Sequence, residues 1–203
     1  MNKPTVYVIY HSTYGHLKTL ADTIVEGLKA TDLVNIEVRQ FEETLPQEVL
    51  EKMHALPQDK TVPFVTLEDM EKADAFLFGI PTRFGTMGSQ VKTFLDSTGG
   101  LWAKKALVGK MAGVFVGTGS QSGGQESTTL SFIPMLAHHG MIFVPMGFTH
   151  ENLFCVDEIV GGSPYGAGSI APKSSVRPVS DKEKEIAFHQ GESFSIIVSK
   201  YHK

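Results

Sequence analysis

Thr5-Val6-Tyr7-Val8-Ile9-Tyr10-His11-Ser12-Thr13-Tyr14-Gly15-His16-Leu17-Lys18-Thr19 decides the fold. Thr5 to Tyr10 are all β-branched or aromatic, the composition of a buried strand near the start of an α/β domain. The run stops in a turn of hydroxyl residues and one glycine. From His16 the pattern becomes helical, with Leu17, Leu20, Ala21, Ile24, Val25 and Leu28 at the three-and-four spacing of one helix face. A strand entering a helix through such a turn aims unpaired backbone N–H groups and the positive end of the helix at one point, where an anion such as phosphate can bind. The spacing is neither Gly-x-Gly-x-x-Gly nor the Walker lysine loop, so neither dinucleotide nor triphosphate fingerprint applies. The hydroxyls of Ser12, Thr13 and Thr19 share the work with amides, although Ser and Thr also cap helices for structural reasons alone.

Downstream the same alternation continues. Ile36 to Phe41 begins with apolar and polar residues in turn, the pattern of an edge-like strand. Glu42 to Pro63 is an excursion punctuated by Pro46, Pro57 and Pro63, with one short amphipathic piece near Val49 to Met53. Leu67, Met70 and Ala73 suit a short helix, and Ala75 to Gly79 is a second buried strand. That strand is expected to break at Ile80-Pro81-Thr82-Arg83-Phe84-Gly85, before Val91, Phe94 and Leu95 resume helical spacing. Gly99-Gly100-Leu101-Trp102 should end that helix and open a loop. A third strand at Ala112 to Val116 runs into Gly117-Thr118-Gly119-Ser120-Gln121-Ser122-Gly123-Gly124-Gln125, and a helix should follow to about His139. Met141 to Pro145 reads as a fourth core strand. Residues 147 to 178 carry Gly, Pro and Ser with little periodicity, and so long a stretch is usually functional. Ser180-Asp181-Lys182-Glu183 is a capping box opening a last helix, whose Ile186, Phe194, Ile197, Val198 and Tyr201 are expected on the sheet. Strands alternating with helices, without repeat or linker, predict one α/β domain with a parallel sheet over residues 1–203.

Composition narrows the function. With 203 residues there is room for a sizeable core. A net charge of -4 argues against a nucleic-acid partner. The N-terminus lacks the basic and apolar regions of a secretory signal, and no apolar run approaches membrane length, so no integral membrane segment is expected. Cys155 is the only cysteine, which excludes an internal disulfide and a cysteine-built zinc cluster and fits a reducing cytoplasm. By residue type it reads as a small buried hydrophobe. No metal site is expected: His138 and His139, adjacent on a helix, point in different directions.

Three loops, Ser12 to Leu17, Pro81 to Gly85 and Gly117 to Gln125, each follow a buried strand directly. In an open parallel sheet all strand C-termini share one edge, and ligands bind there where strand order reverses. Loops rich in Gly and hydroxyls at that edge suggest a phosphorylated planar ligand, with Tyr14, Phe84 and Trp102 offering faces to a flat ring. No lysine stands at the phosphate position, so amides and hydroxyls must hold the anion.

Ser-Thr-Tyr-Gly-His, Gly-Ile-Pro-Thr-Arg-Phe-Gly, Thr-Gly-Gly-Leu-Trp-Ala, Leu-Ala-His-His-Gly-Met and Gly-Gly-Ser-Pro-Tyr-Gly-Ala, met in this order along the chain, resemble the WrbA-type flavodoxin-like NAD(P)H:quinone oxidoreductases. The resemblance implies a flavodoxin-like, doubly wound five-stranded parallel sheet in order 2-1-3-4-5 with helices on both faces. It implies noncovalent FMN, NADH or NADPH as electron donor, a homotetramer, and two-electron reduction of quinones. Residue by residue, Ser12, Thr13, Tyr14, Gly15, His16 and Leu17 match the FMN phosphate loop, and Thr82, Arg83 and Phe84 the isoalloxazine loop. Gly117, Thr118 and Gly119 open the third flavin loop. His138 matches a flavin-site position, from which it could bond a quinone oxygen or donate a proton. Tyr14 and Trp102 match positions that meet nicotinamide or quinone. Arg83 beside flavin would stabilise negative charge on the reduced ring, a tuning role.

The third loop is one residue longer than the family's common Ser-Thr-Gly-Thr-Gly-Gly-Gly-Gln-Glu and begins with Gly, which leaves open which of Ser120, Gln121 and Ser122 touches flavin. With hydride passing from nicotinamide to flavin and two electrons then to quinone over one ring face, the expected kinetics are ping-pong. The alternative is a flavin-binding electron carrier or regulatory scaffold with negligible quinone turnover, since fold alone does not choose. Trp102 and the Gly-Gly-Ser-Pro-Tyr-Gly segment favour the enzyme.

Overall fold

A computed structural model describes residues 2–171 and 177–202. Strand β1 (Thr5–Tyr10) sits inside the sheet between β2 (Asn35–Gln40) and β3 (Ala75–Arg83), parallel to both. Beyond β3 lie β5 (Met111–Thr118) and β6 (Ile142–Phe143), so the order is β2-β1-β3-β5-β6. Counting only these five, it is the 2-1-3-4-5 order of a flavodoxin-like sheet. Along β1 the side chains alternate between two cores. Val6, Val8 and Tyr10 join the layer of helices α1 (His16–Thr31) and α7 (Asp181–Tyr201). Tyr7 and Ile9 join the opposite layer, packed under α3 (Leu67–Lys72), α4 (Ser89–Asp96) and α6 (Gln125–His138). A further short helix, α2 (Gln47–Met53), buries no residue and stands in the Glu42 to Pro63 excursion.

Four details depart from the sequence-based expectation. First, β3 does not break at Ile80. It runs to Arg83 and turns back as an antiparallel hairpin with β4 (Thr86–Met87). Phe84 and Gly85 form the two-residue turn with φ of +53° and +78°, the positive angles that match the twist of paired strands. Second, Gly99–Ala103 is a short helix, α5, because Trp102 N–H bonds back to Thr98 O at 3.0 Å. Third, the fourth core strand shrinks to β6, and its place beside the upper half of β5 is taken by β7 (Gly168–Ile170). Gly168-Ser169-Ile170 has too little apolar pattern to be read as a strand. Fourth, Ile186, Phe194 and Val198 are buried on α7, whereas Ile197 and Tyr201 face outward. Of the segment 147–178, residues 172–176 lie outside the described residues, and Glu151–Phe154 forms one 3₁₀ turn.

Candidate active site

The ends of β1, β3 and β5 open into one cleft of about 140 Å³. Ser12, Thr13, Tyr14, His16 and Leu17 line one side; Pro81, Thr82 and Arg83 the second; Gly117, Thr118, Gly119 and Ala171 the third. The first loop is shaped for an anion. Gly15 caps α1 with φ +86°, a left-handed angle that leaves the helix start without a side-chain cap, so the first-turn amides are unspent. The Thr13 hydroxyl is buried and has no hydrogen-bond partner among the described residues. Among the described residues no lysine lines the cleft. An acceptor-rich, dianionic group such as the phosphate of FMN fits those donors, and the apolar lining from Leu17, Pro81 and Ala171 suits a flat ring.

Neighbours fix the loops. His16, nine-tenths buried, faces Arg177 O at 2.7 Å through Nε2 and Tyr14 O at 3.2 Å through Nδ1, which joins the loop to the segment entering α7. Tyr14 donates its hydroxyl to Met53 O at 3.2 Å, and Leu56 N–H donates to Thr13 O at 2.9 Å, so the excursion folds over the loop. Thr82 accepts from the Thr128 hydroxyl at 2.7 Å, and Arg83 Nη1 bends back to Thr82 O at 2.8 Å. In the third loop Gln125 Nε2 donates to Ser120 O at 2.8 Å and Thr118 Oγ1 at 3.0 Å, and Ala171 N–H donates to Thr118 O at 2.6 Å.

The predicted site residues divide into three places. Ser12, Thr13, Tyr14, His16, Leu17, Thr82, Arg83, Gly117, Thr118 and Gly119 meet in the cleft, with Gly15 shaping its floor. Phe84 stands fully exposed at the hairpin tip, and Ser120 is exposed in a turn; Gln121 and Ser122 line a separate open hollow with Val160 and Ser163. Trp102 and His138 lie at the opposite edge of the sheet. Helix α6 starts beside the third loop and ends at His138, its fourteenth residue, roughly 20 Å away at helical rise. Thr98, which precedes α5 and Trp102, pairs its hydroxyl with His139 Nε2 at 2.9 Å beside that far end. Within one chain, neither Trp102 nor His138 reaches the cleft.

Ala171 and Leu56 escaped the sequence reading. Ala171 comes to the cleft through β7, whereas Leu56 bonds to the first loop at Thr13 O from an excursion with almost no periodicity. Cys155 is half-buried rather than core: its sulfur accepts from Lys182 Nζ at 3.1 Å, and that bond with the Glu158 and Asp157 amides holds the thiol below its usual range.

Residues 4–152 match the family model described as NADPH-dependent FMN reductase. The chain is similar to the quinone-oxidoreductase QR2 of Triphysaria versicolor, 50% identical over 187 residues that cover 92% of this chain and 91% of that one. The NAD(P)H quinone oxidoreductase PST1 of Candida albicans is 48% identical over 194 residues, covering 96% and 97% of the two chains. Among solved structures, the flavodoxin, WrbA-like protein from Agrobacterium tumefaciens superposes with a TM-score of 0.69 at 19% identity, over 98% of this chain and 99% of the other, a likeness of fold.

Proposed function

Because the chain belongs to the family of NADPH-dependent FMN reductases, we propose that it binds one FMN noncovalently and reduces quinones by two electrons at the expense of NADH or NADPH. The observation that carries this reading is the cleft itself, where three strand-end loops meet unspent first-turn amides of α1 and a buried hydroxyl without a partner among the described residues, and where no described lining residue is a lysine. Ser12 to Leu17 would hold the phosphate, and Thr82, Arg83, Thr118 and Gly119 the ring. When bound, FMN supplies the hydride-accepting and electron-donating chemistry that side chains lack. The chain's own part is to bind, orient and stabilise. The dipole and amides of α1 offset the phosphate charge, Tyr14 is pinned by Met53 O, and Arg83 keeps a positive charge where negative charge develops.

Trp102 and His138 enter this reading from another copy of the chain. Trp102, Phe148, Phe154 and Val156 are 57% to 92% exposed, a load of apolar surface that a second copy would cover. A homotetramer joined through Glu42 to Pro63 and residues 147–178 would bring His138 of a neighbour to a quinone oxygen, as hydrogen-bond or proton donor. Nicotinamide and quinone would use the same space in turn.

The test is direct. Purified protein should show a flavin spectrum, NADH should bleach it, and quinone should restore it. Reciprocal plots at several quinone concentrations should give parallel lines, and His138→Ala should lower quinone turnover about tenfold or more. Intersecting lines would overturn the shared space. The reading as an electron carrier is favoured by one observation, that a lone chain's cleft holds neither Trp102 nor His138. A flavin-saturated monomer without quinone turnover would establish it.

A further inference from the structure

His11 follows β1 directly, one residue before the cleft-lining Ser12, and its side chain is 1% exposed. Its backbone N–H donates to Gly79 O at 3.2 Å, which ties the residue after β1 to the middle of β3. The ring is less well served. Nε2 lies 3.3 Å from Glu43 Oε2 without the alignment of a hydrogen bond, and Nδ1 lies 3.5 Å from Phe41 O. Both ring nitrogens therefore face acceptors. A neutral imidazole carries one N–H and can satisfy one of them; an imidazolium carries two and can satisfy both.

Glu43 connects this ring to the other side of the cleft. Its Oε1 accepts from Thr44 N–H at 2.8 Å, Leu45 N–H at 2.9 Å and Gln90 Nε2 at 2.6 Å. Gln90, 3% exposed, is the second residue of α4, just past the hairpin that carries Thr82, Arg83 and Phe84. One carboxylate thus spans from the end of β1 to the start of α4, with the phosphate loop continuing from one end and the hairpin preceding the other. Burial pushes the Glu43 carboxyl up, but the bonds from Gln90 and the Leu45 and Thr44 amides, with His11, outweigh it and keep the group ionised at neutral pH.

We propose that His11 is a proton-linked positioning residue: on gaining a proton it closes onto Glu43 and Phe41 O, tightens the brace through Gln90, and strengthens the grip of the two loops on FMN. The inference rests on the FMN reading above. The groups that face the ring set where it titrates. Burial holds His11 below the usual histidine range, Glu43 and the Phe41 carbonyl pull it up, and Arg83 of the hairpin pushes it down. The ring is thus neutral at pH 7, and the tightening comes with acidification.

The experiment is FMN binding to apoprotein, followed by quenching of flavin fluorescence between pH 8 and 5 in wild type, His11→Phe, His11→Gln and Glu43→Gln. The phosphate of FMN titrates in this range too, but equally in every variant, so the ratio of affinities isolates His11. The wild-type to His11→Phe ratio should rise about threefold or more toward pH 5, as linkage to one proton requires. His11→Gln keeps a fixed donor for Glu43; it should bind more tightly than His11→Phe at pH 8 and show no pH step against it. Glu43→Gln should also remove the step. A ratio flat with pH, or a step that survives in Glu43→Gln, overturns the proposal; should His11→Phe fail to fold, Glu43→Gln against wild type decides alone. Absence of FMN binding in wild type at any pH instead removes the cofactor reading on which the proposal stands.

Discussion

A valine at position 15 would place a β-branched side chain at φ +86° and a Cβ 3.3 Å from Leu56 Cδ1. The strain of that backbone angle is of order 1–3 kcal/mol, and the loop can relieve it only by turning its amides away from the cleft. Gly15→Val should therefore weaken FMN about 10- to 100-fold while leaving a folded chain, measured by flavin fluorescence beside far-UV circular dichroism; unchanged affinity would move the phosphate elsewhere. The glycine was legible because a strand, a turn and a helical pattern converge on it. Less of the hairpin tip was legible: Pro81 hid the continuation of β3, and nothing in Phe84 announces a left-handed φ of +53°. The capping box Ser180–Glu183 could be read, since its two bonds are local. Its second role could not. Glu183, fully buried, also accepts from Gly161 N–H, Ile170 N–H, Ser169 Oγ and Arg177, groups up to 22 positions away that no local pattern brings together.

Between elements, the helix that presents the anion site depends on a close crossing of α1 and α7. A Cβ on Gly27 would stand 2.0 Å from Phe188 O, and one on Gly191 2.2 Å from Ile24 O, so both helices approach backbone to backbone. Neither obstacle is a side chain that can rotate away. Gly27→Ala should therefore destabilise by about 3 kcal/mol or more, seen as a Tm lowered by roughly 10 °C, and a Tm within a degree or two of wild type would contradict the crossing. Helical spacing predicted α1 and the start of α7, but not this contact, because a glycine inside a helix looks only like a weak helix former. The short helix α3 supplies a pH-dependent joint. Asp69 closes its capping box with Thr66 and accepts from Arg39 of β2 at 3.0 Å. Burial pushes the Asp69 carboxyl up, yet Arg39 and Thr66 overcome it and hold the group below its ordinary value of 3.8. A carboxyl depressed in the folded state stabilises above the unfolded value and loses that contribution as pH falls through the folded one. Wild type should thus lose Tm more steeply than Asp69→Asn below about pH 4; parallel curves would remove Asp69 from the acid response.

On the scale of the whole molecule, the parallel α/β layering followed from alternation along the sequence and the sheet order from the family resemblance, but the site that the resemblance implies does not assemble within one chain. The family resemblance implies one flavin face shared by Tyr14, Phe84, Trp102 and His138, whereas α6 carries His138 and α5 carries Trp102 to the sheet edge opposite the cleft. Both can hold only if one chain's far edge meets another chain's cleft. No helix among the described residues is long and apolar enough to cross a membrane. Complementation tests the arrangement. Gly15→Val should lose its cleft but keep a sound far edge; Trp102→Ala with His138→Ala should do the reverse. Each variant alone should reduce quinone poorly, the first for want of FMN and the second for want of stacking and a hydrogen-bond donor. Mixed by joint unfolding and refolding, they should form hybrids in which an intact cleft faces an intact edge. Quinone turnover should then exceed the sum of the two separate preparations several-fold, up to about a quarter of wild type if one site in four pairs the two sound halves. The same mixture with light scattering should give the mass of four chains. Hybrids of that mass with only additive turnover would place cleft, Trp102 and His138 in separate tasks, and a monomer mass at saturating FMN would end the shared site altogether.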